Sequence, residues 1–339
     1  MPGGRKLENL INTLPIPLVF LFLIAGFALL IKGADFFVEG SSAVAHKFKV
    51  PSIIIGLTVV AMGTSLPETA VSVTASIAGK NSLAISNVTG SNIFNIIMVI
   101  GVCALLTPVA VQKETLKRDL PFSALCACLL AALGVLSFGD PAGMTLGNLD
   151  GIILLILFVI YLSFLVITTL KARKSASDKD EADEGDETKK NLPIWLSLIF
   201  IVGGAAAIVV GGDLTVDSAS RIAMSFGMSE TLVGLTIVSI GTSLPELVTS
   251  VVAARKNEVD MALGNAIGSN VFNILMVLGI AAAISPVTML KENVIDIAVL
   301  LCVTLVVWVF AYTKKQINRI EGGVMVAMYA TYAVYICIR

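Results

Sequence analysis

The hexapeptide Gly-Thr-Ser-Leu-Pro-Glu occurs twice, at 63–68 and 241–246, and a second string, Gly-Ser-Asn-(Ile/Val)-Phe-Asn, recurs at 90–95 and 268–273. Both pairs are offset by 178 residues. A lone carboxylate or amide inside an apolar helix is an oddity, but the same polar set placed twice at one offset reads as one site built from two half-sites. Pro67 has no amide hydrogen, so the carbonyl of Gly63 loses its helical donor and Leu66 is pushed away from helical geometry. Carbonyls around Ala61 to Gly63 are thereby freed into the gap, and the Thr64 and Ser65 hydroxyls and the Glu68 carboxylate add further oxygens. Hard cations such as sodium and calcium require oxygen ligands of this kind. Gly241, Thr242, Ser243, Pro245 and Glu246 repeat the arrangement.

Asn87, Ser91 and Asn95 are spaced by four, which puts them on one stripe of a helix that can face the first break; Asn265, Ser269 and Asn273 do the same for the second. The combined set is all oxygen, with neither sulfur nor imidazole, and so selects against zinc or copper. A carboxylate at the centre of a bilayer costs on the order of 3 kcal/mol, so Glu68 and Glu246 require a protein-lined cavity and a cation or a proton. Asn87, Asn92, Asn265 and Asn270 read instead as hydrogen-bonding residues that hold helices together.

The elements that position these residues are membrane spans. The chain is 56% apolar and 14% charged with a mean hydropathy of +0.93, far from a soluble domain. About 20 apolar residues cross the hydrocarbon layer, and ten stretches qualify: roughly 15–38, 51–79, 82–107, 119–138, 148–170, 193–220, 228–254, 259–285, 293–312 and 320–337. The first is longer than a secretory signal and is read as retained. Loops after the odd-numbered stretches hold 16 of the 23 Lys and Arg residues, which predicts that these loops are cytoplasmic and that both termini lie outside.

Shifting the chain by 178 aligns residues 56–68 with 234–246 at ten of 13 identities, and 87–97 with 265–275 at seven of 11. Weaker echoes pair Asp35 with Asp213 and Glu39 with Asp217; these four are placed near helix ends, paired with Lys or capping helices, and are not counted as ligands. Five spans per half is an odd number, so the second half enters the membrane the other way round, as two inverted five-helix repeats over 1–170 and 193–339. The joining segment 171–192 carries seven carboxylates between Asp178 and Glu187 without calcium-loop spacing and is read as a solvated cytoplasmic linker. The expected fold is an all-α membrane protein of ten transmembrane helices, the second and seventh broken at the hexapeptides.

Other chemistry is excluded quickly. His46 is the single histidine, so no Ser-His base and no HExxH zinc site exist, and there is no phosphate-binding GxxxxGK(S/T) loop. Cys103, Cys126, Cys128, Cys302 and Cys337 lack metal or disulfide spacing and read as small core residues. A secondary transporter, not an enzyme, remains.

The doubled strings resemble the two alpha-repeats of the calcium/cation antiporter superfamily, most closely the prokaryotic sodium/calcium exchangers, over the whole membrane portion. The resemblance implies exchange of sodium for calcium by alternating access, most often calcium export, in the cell membrane, with helices one and six sliding against the other eight. It implies that Glu68 and Glu246 bind the central ions with Thr64, Ser65, Thr242 and Ser243, completed by Ser91, Asn95, Ser269 and Asn273 and by backbone oxygens of Ala61 and Ser239. It implies no cofactor beyond the transported ions, and the partners expected are sodium, calcium and the lipid bilayer, with no nucleic acid and no obligatory protein. Related exchangers often carry aspartate where this chain has Asn273; two carboxylates balance one calcium or two sodium ions. A proton-coupled antiporter using Glu68 or Glu246 as carrier, and a cation channel, are the rival readings.

Overall fold

The computed structural model describes residues 11, 13–79, 81–136, 144–177, 192–228, 233, 237 and 239–338. The chain is almost entirely helical: α1 Ile16–Lys47, α2 Ser52–Thr64, α3 Leu66–Ile77, α4 Ser82–Leu106, α5 Leu120–Leu136, α6 Asn148–Ser177, α7 Ile194–Ser225, the single turn α8 Ser239–Gly241, α9 Leu244–Arg255, α10 Val259–Ile284, α11 Lys291–Lys314 and α12 Arg319–Ile338. Among the described residues seven helices are long and apolar enough to span a membrane, and α2 with α3 forms an eighth candidate bent by 48°. The stretch read at 119–138 supplies α5, 17 residues long. The first turns of the stretch read at 228–254 fall largely outside the described residues.

Burial sorts these helices into layers. In α4 and α10, 78% of the apolar window is buried, against 22% in α1, α6 and α7. The motif-bearing helices are therefore central, while Leu21, Ile24, Ile156 and Val202 point outward on an apolar outer surface.

Helices α1 and α7 pack against one another in opposite directions: Gly26 lies against Gly211, Gly33 against Gly204 and Gly40 against Ser197. A Cβ on Gly33 would come within 2.8 Å of the Ala207 Cβ, and one on Gly204 within 2.7 Å of the Phe37 amide nitrogen. Only glycine permits this approach, the mode by which small residues associate helices where the hydrophobic effect gives no drive. Two short antiparallel ladders tie the ends of the chain's halves together, β1 (Val109–Ala110) with β4 (Gln316–Ile317) and β2 (Thr145–Leu146) with β3 (Val287–Thr288).

Three expectations change. Helices α1 and α7 run well past residues 38 and 220, because nothing in 39–47 or 221–225 breaks a helix; the stops come at Lys49 (φ 52°) before Pro51, and at Gly227 (φ 92°). Asp35, Glu39, Asp213 and Asp217 thus lie inside long helices rather than near their ends. Helix α6 continues to Ser177, so the first seven residues of the linker read at 171–192 are helical, and 178–191 lie outside the described residues. Cys103 and Cys126 are buried as expected, but Cys128, Cys302 and Cys337 are exposed on the apolar outer surface, where a small weakly polar thiol is equally tolerated.

Candidate cation site

Each hexapeptide interrupts a helix, but one residue earlier than expected: the serine leaves helical geometry, and Leu66 and Leu244, the residues before proline, are already helical. Helix α2 ends at Thr64, Ser65 takes φ −81°, ψ 9°, and α3 restarts at Leu66 with Pro67 in its first turn. In the second copy Gly241 closes α8, Ser243 takes φ −94°, ψ 4°, and α9 restarts at Leu244 with Pro245 in its first turn. Proline fits there because the first-turn amides of a helix have no internal acceptor. Glu68 and Glu246 consequently stand in the first turn of the restarted helices, at the positive end of the helix dipole, and both are completely buried.

The two copies meet crosswise. Ser65 of the first break donates to Glu246 Oε1 at 3.2 Å, and Ser243 of the second donates to Glu68 Oε1, also at 3.2 Å. Ser91 from α4 lies 3.5 Å from Glu68 Oε1 and 2.9 Å from the Ser243 hydroxyl. Thr64 donates to Asn265 Oδ1 at 3.0 Å and sits 3.5 Å from the Ser269 hydroxyl on α10; Thr242 donates to Asn87 Oδ1 at 3.4 Å. Glu68 Oε2, Glu246 Oε2, Asn273 Oδ1 and both amide atoms of Asn95 are buried with no hydrogen-bond partner among the described residues. Unpartnered buried oxygens of this kind are costly, and four of them, two belonging to carboxylates, lie on these helices. Among the described residues no group of three or more His, Cys, Asp or Glu gathers. Charge here comes from the two acids, and the rest of the oxygen set from hydroxyls and amides.

Of the expected residues, Ser65, Thr64 and Ser269 gather with Asn265 about Glu246, and Ser243 and Ser91 gather about Glu68; Thr242 bonds apart from these to Asn87, and Asn273 donates to Asn92 Oδ1 at 3.1 Å. The Ala61 carbonyl is less free than the break suggests. It accepts the Ser65 amide at 3.0 Å and lies 3.3 Å from the Thr64 hydroxyl, because the turn after α2 recaptures it. Ser239 opens α8, and its side chain lies outside the described residues.

The remaining asparagines hold helices together, as expected. Asn92 and Asn270 exchange bonds, each Nδ2 donating to the other's backbone carbonyl at 3.2 and 3.1 Å, and Asn87 and Asn265 donate to Ser72 at 3.1 Å and Ser250 at 2.9 Å. Two features escape sequence reasoning. Asn95 and Asn273 fall in π-helical stretches, Phe94–Val99 and Asn273–Val277, a wider winding frequent at functional sites. Lys256, after α9, clasps α1 through Asp35 Oδ1 at 2.8 Å and Glu39 Oε2 at 3.6 Å, while Glu258 accepts Ser42 at 2.5 Å and Ser52 at 2.9 Å. The carboxylates of α1 advertised themselves, but not their partner some 220 residues away.

Buried acids, hydroxyls and amides on interrupted helices, inside a bundle that presents apolar surface outward, define a membrane ion transporter. The sodium/calcium exchanger protein family matches residues 18–167 and 196–338, nearly the whole chain. The chain is 39% identical over 269 residues to the inner membrane protein YrbG of Escherichia coli, covering 78% of this chain and 79% of that protein. It is 35% identical over 340 residues to the sodium/calcium exchanger MaX1 of Methanosarcina acetivorans, covering 93% and 97%. The solved structure of the sodium-calcium exchanger NCX_Mj soaked with 10 mM Na+ and 10 mM Sr2+ superposes with a TM-score of 0.80 at 33% identity, covering 94% of this chain and 99% of that one. The chain belongs to the sodium/calcium exchanger family, whose members are membrane transporters and not enzymes.

Proposed function

We propose that this chain is a secondary antiporter that exchanges sodium for calcium by alternating access, the sodium gradient driving calcium export from the cell. The observation that carries the reading is the crosswise bonding of two fully buried glutamates, each held by the serine of the other half and each keeping one oxygen unpartnered among the described residues. Glu68 and Glu246 supply the charge; Thr64, Ser65, Thr242, Ser243, Ser91, Ser269, Asn95 and Asn273 supply neutral oxygens, with the backbone of Ala61 and Ser239. Calcium and sodium compete for the same oxygens, so loading one ion excludes the other and only a loaded transporter alternates.

Ten spans in two inverted halves, 1–170 and 193–339, with both termini outside and 171–192 cytoplasmic, fit this reading. The antiparallel packing of α1 on α7, which are copies at an offset of 178, supports the inversion. The same glycine-lined contact holds α1 and α7 close against each other, so that the two can move as one unit against the core.

Reconstitution into liposomes tests the proposal. Calcium-45 enters sodium-loaded vesicles diluted into sodium-free buffer and does not enter vesicles loaded with potassium. Uptake driven by a pH gradient without sodium would establish the proton-coupled reading, and uptake with no counter-ion would establish a channel.

A further inference from the structure

Eight bonds within and between the two half-sites form four pairs related by exchange of residue n with n + 178. Ser65 to Glu246 has its image in Ser243 to Glu68; Thr64 to Asn265 in Thr242 to Asn87; Asn87 to Ser72 in Asn265 to Ser250; and Asn92 Nδ2 to the Asn270 carbonyl in Asn270 Nδ2 to the Asn92 carbonyl. Other bonds, such as Ser243–Ser91, Thr64–Ser269 and Asn265 Nδ2 to the Glu246 carbonyl, have no image, and in one further case the atoms of the missing image are left buried without any partner among the described residues. Asn273 Nδ2 donates to Asn92 Oδ1 at 3.1 Å, and its image would be Asn95 Nδ2 donating to Asn270 Oδ1. That bond is not made: Asn95 Nδ2, Asn95 Oδ1 and Asn270 Oδ1 are all buried with no partner among the described residues.

We infer that Asn92 and Asn270 are positioning residues for the two inner amides, and that the Asn95–Asn270 bond is a ligand-dependent contact which closes when Asn95 turns its oxygen onto the cation. The inference rests on the site proposed above. Because Asn92 Nδ2 is committed to the Asn270 carbonyl, its Oδ1 accepts, and an amide at 273 anchored by its nitrogen presents only oxygen to an ion. Asn273 is thereby set before the ion arrives. Asn95 carries the same chemistry but neither of its amide atoms is anchored by a hydrogen bond among the described residues, so binding fixes its side chain and completes the missing bond. The two halves of the site are chemically equivalent and unequally organised, and the energy of one buried hydrogen bond is reserved for the occupied state.

Two measurements test this. Double-mutant cycles compare Asn95→Ala with Asn270→Ala and Asn273→Ala with Asn92→Ala, reading both calcium affinity and ion-free thermal stability. Coupling of about fivefold, the worth of one buried hydrogen bond, is expected in calcium affinity alone for Asn95–Asn270 and in ion-free stability for Asn92–Asn273. Ion-free coupling of equal size in both pairs would overturn the inference, since two merely structural contacts would behave alike. A calcium-loaded structure of the unmodified chain needs no variant to fold. Calcium at Glu68 and Glu246 with Asn95 Nδ2 within hydrogen-bonding distance of Asn270 Oδ1 is the expected result. Calcium there with that bond still open overturns the positioning role and leaves the site intact; calcium bound elsewhere overturns the site, and the inference with it.

Discussion

Replacing Glu68 by glutamine is the sharpest perturbation the site offers. Glu68 Oε1 accepts the Ser243 and Ser91 hydroxyls at 3.2 and 3.5 Å, and Oε2 has no partner among the described residues. An amide of the same shape keeps a carbonyl oxygen for both serines and puts an NH2 group where Oε2 stands, so the bundle is preserved and a cation meets a donor. Removing one partner from a buried charge pair costs about 3–5 kcal/mol, which raises the calcium dissociation constant by about two to four orders of magnitude. A ligand stabilises a protein by RT ln(1 + [L]/Kd). Calcium at 100 times the native Kd therefore adds about 2.7 kcal/mol to the native chain and about 0.4 kcal/mol to a variant binding 100-fold more weakly. Without ion the variant has shed a buried charge and its desolvation cost, so it melts at least as high as the native chain. Thermal unfolding in detergent, followed by helical circular dichroism across a calcium titration, reads both quantities. A variant stabilised by calcium as strongly as the native chain would refute the reasoning.

The same network fixes further outcomes. Ser65→Ala and Ser243→Ala each remove a hydroxyl from the opposite glutamate, and each is expected to weaken calcium binding by about tenfold, the worth of about 1.5 kcal/mol for a hydrogen bond to a charged group; calcium-45 equilibrium binding checks that the two are alike. Gly204→Leu drives a side chain into the Phe37 backbone across the α1–α7 contact, and overpacking should lower stability by about 1–3 kcal/mol and slow exchange, measured by melting and by flux. Lys256→Met removes ion pairs to Asp35 and Glu39 that are about a third exposed, so its effect on stability stays below about 1 kcal/mol and fades with added salt, as melts at low and high ionic strength will show.

The parts of this architecture legible in the sequence were those written in local chemistry. Proline without a donor and glycine beside it marked both breaks, and the 178-residue offset marked Glu68 and Glu246 as equivalents. Equivalence does not say which residue bonds which. That Ser65 reaches Glu246 rather than its own neighbour Glu68 is a property of how two helices face each other in space. The π-helical turns at Asn95 and Asn273 have no counterpart in the spacing rules applied to the sequence, which assume 3.6 residues per turn. Hydropathy placed the ends of α1 and α7 too early for a similar reason: it registers contact with lipid, whereas these helices continue through polar residues that lie against the protein. The Lys256 clasp links residues about 220 apart, beyond the reach of any spacing rule.

Equilibrium binding of calcium-45 to the purified chain during a sodium titration measures the central claim, that oxygens from both halves form one site shared by the two ions. The expected result is one calcium per chain, displaced completely and competitively by sodium, with calcium binding lost in Glu68→Gln and in Glu246→Gln alike. Calcium that stays bound at saturating sodium, or that binds undiminished to either variant, would contradict it.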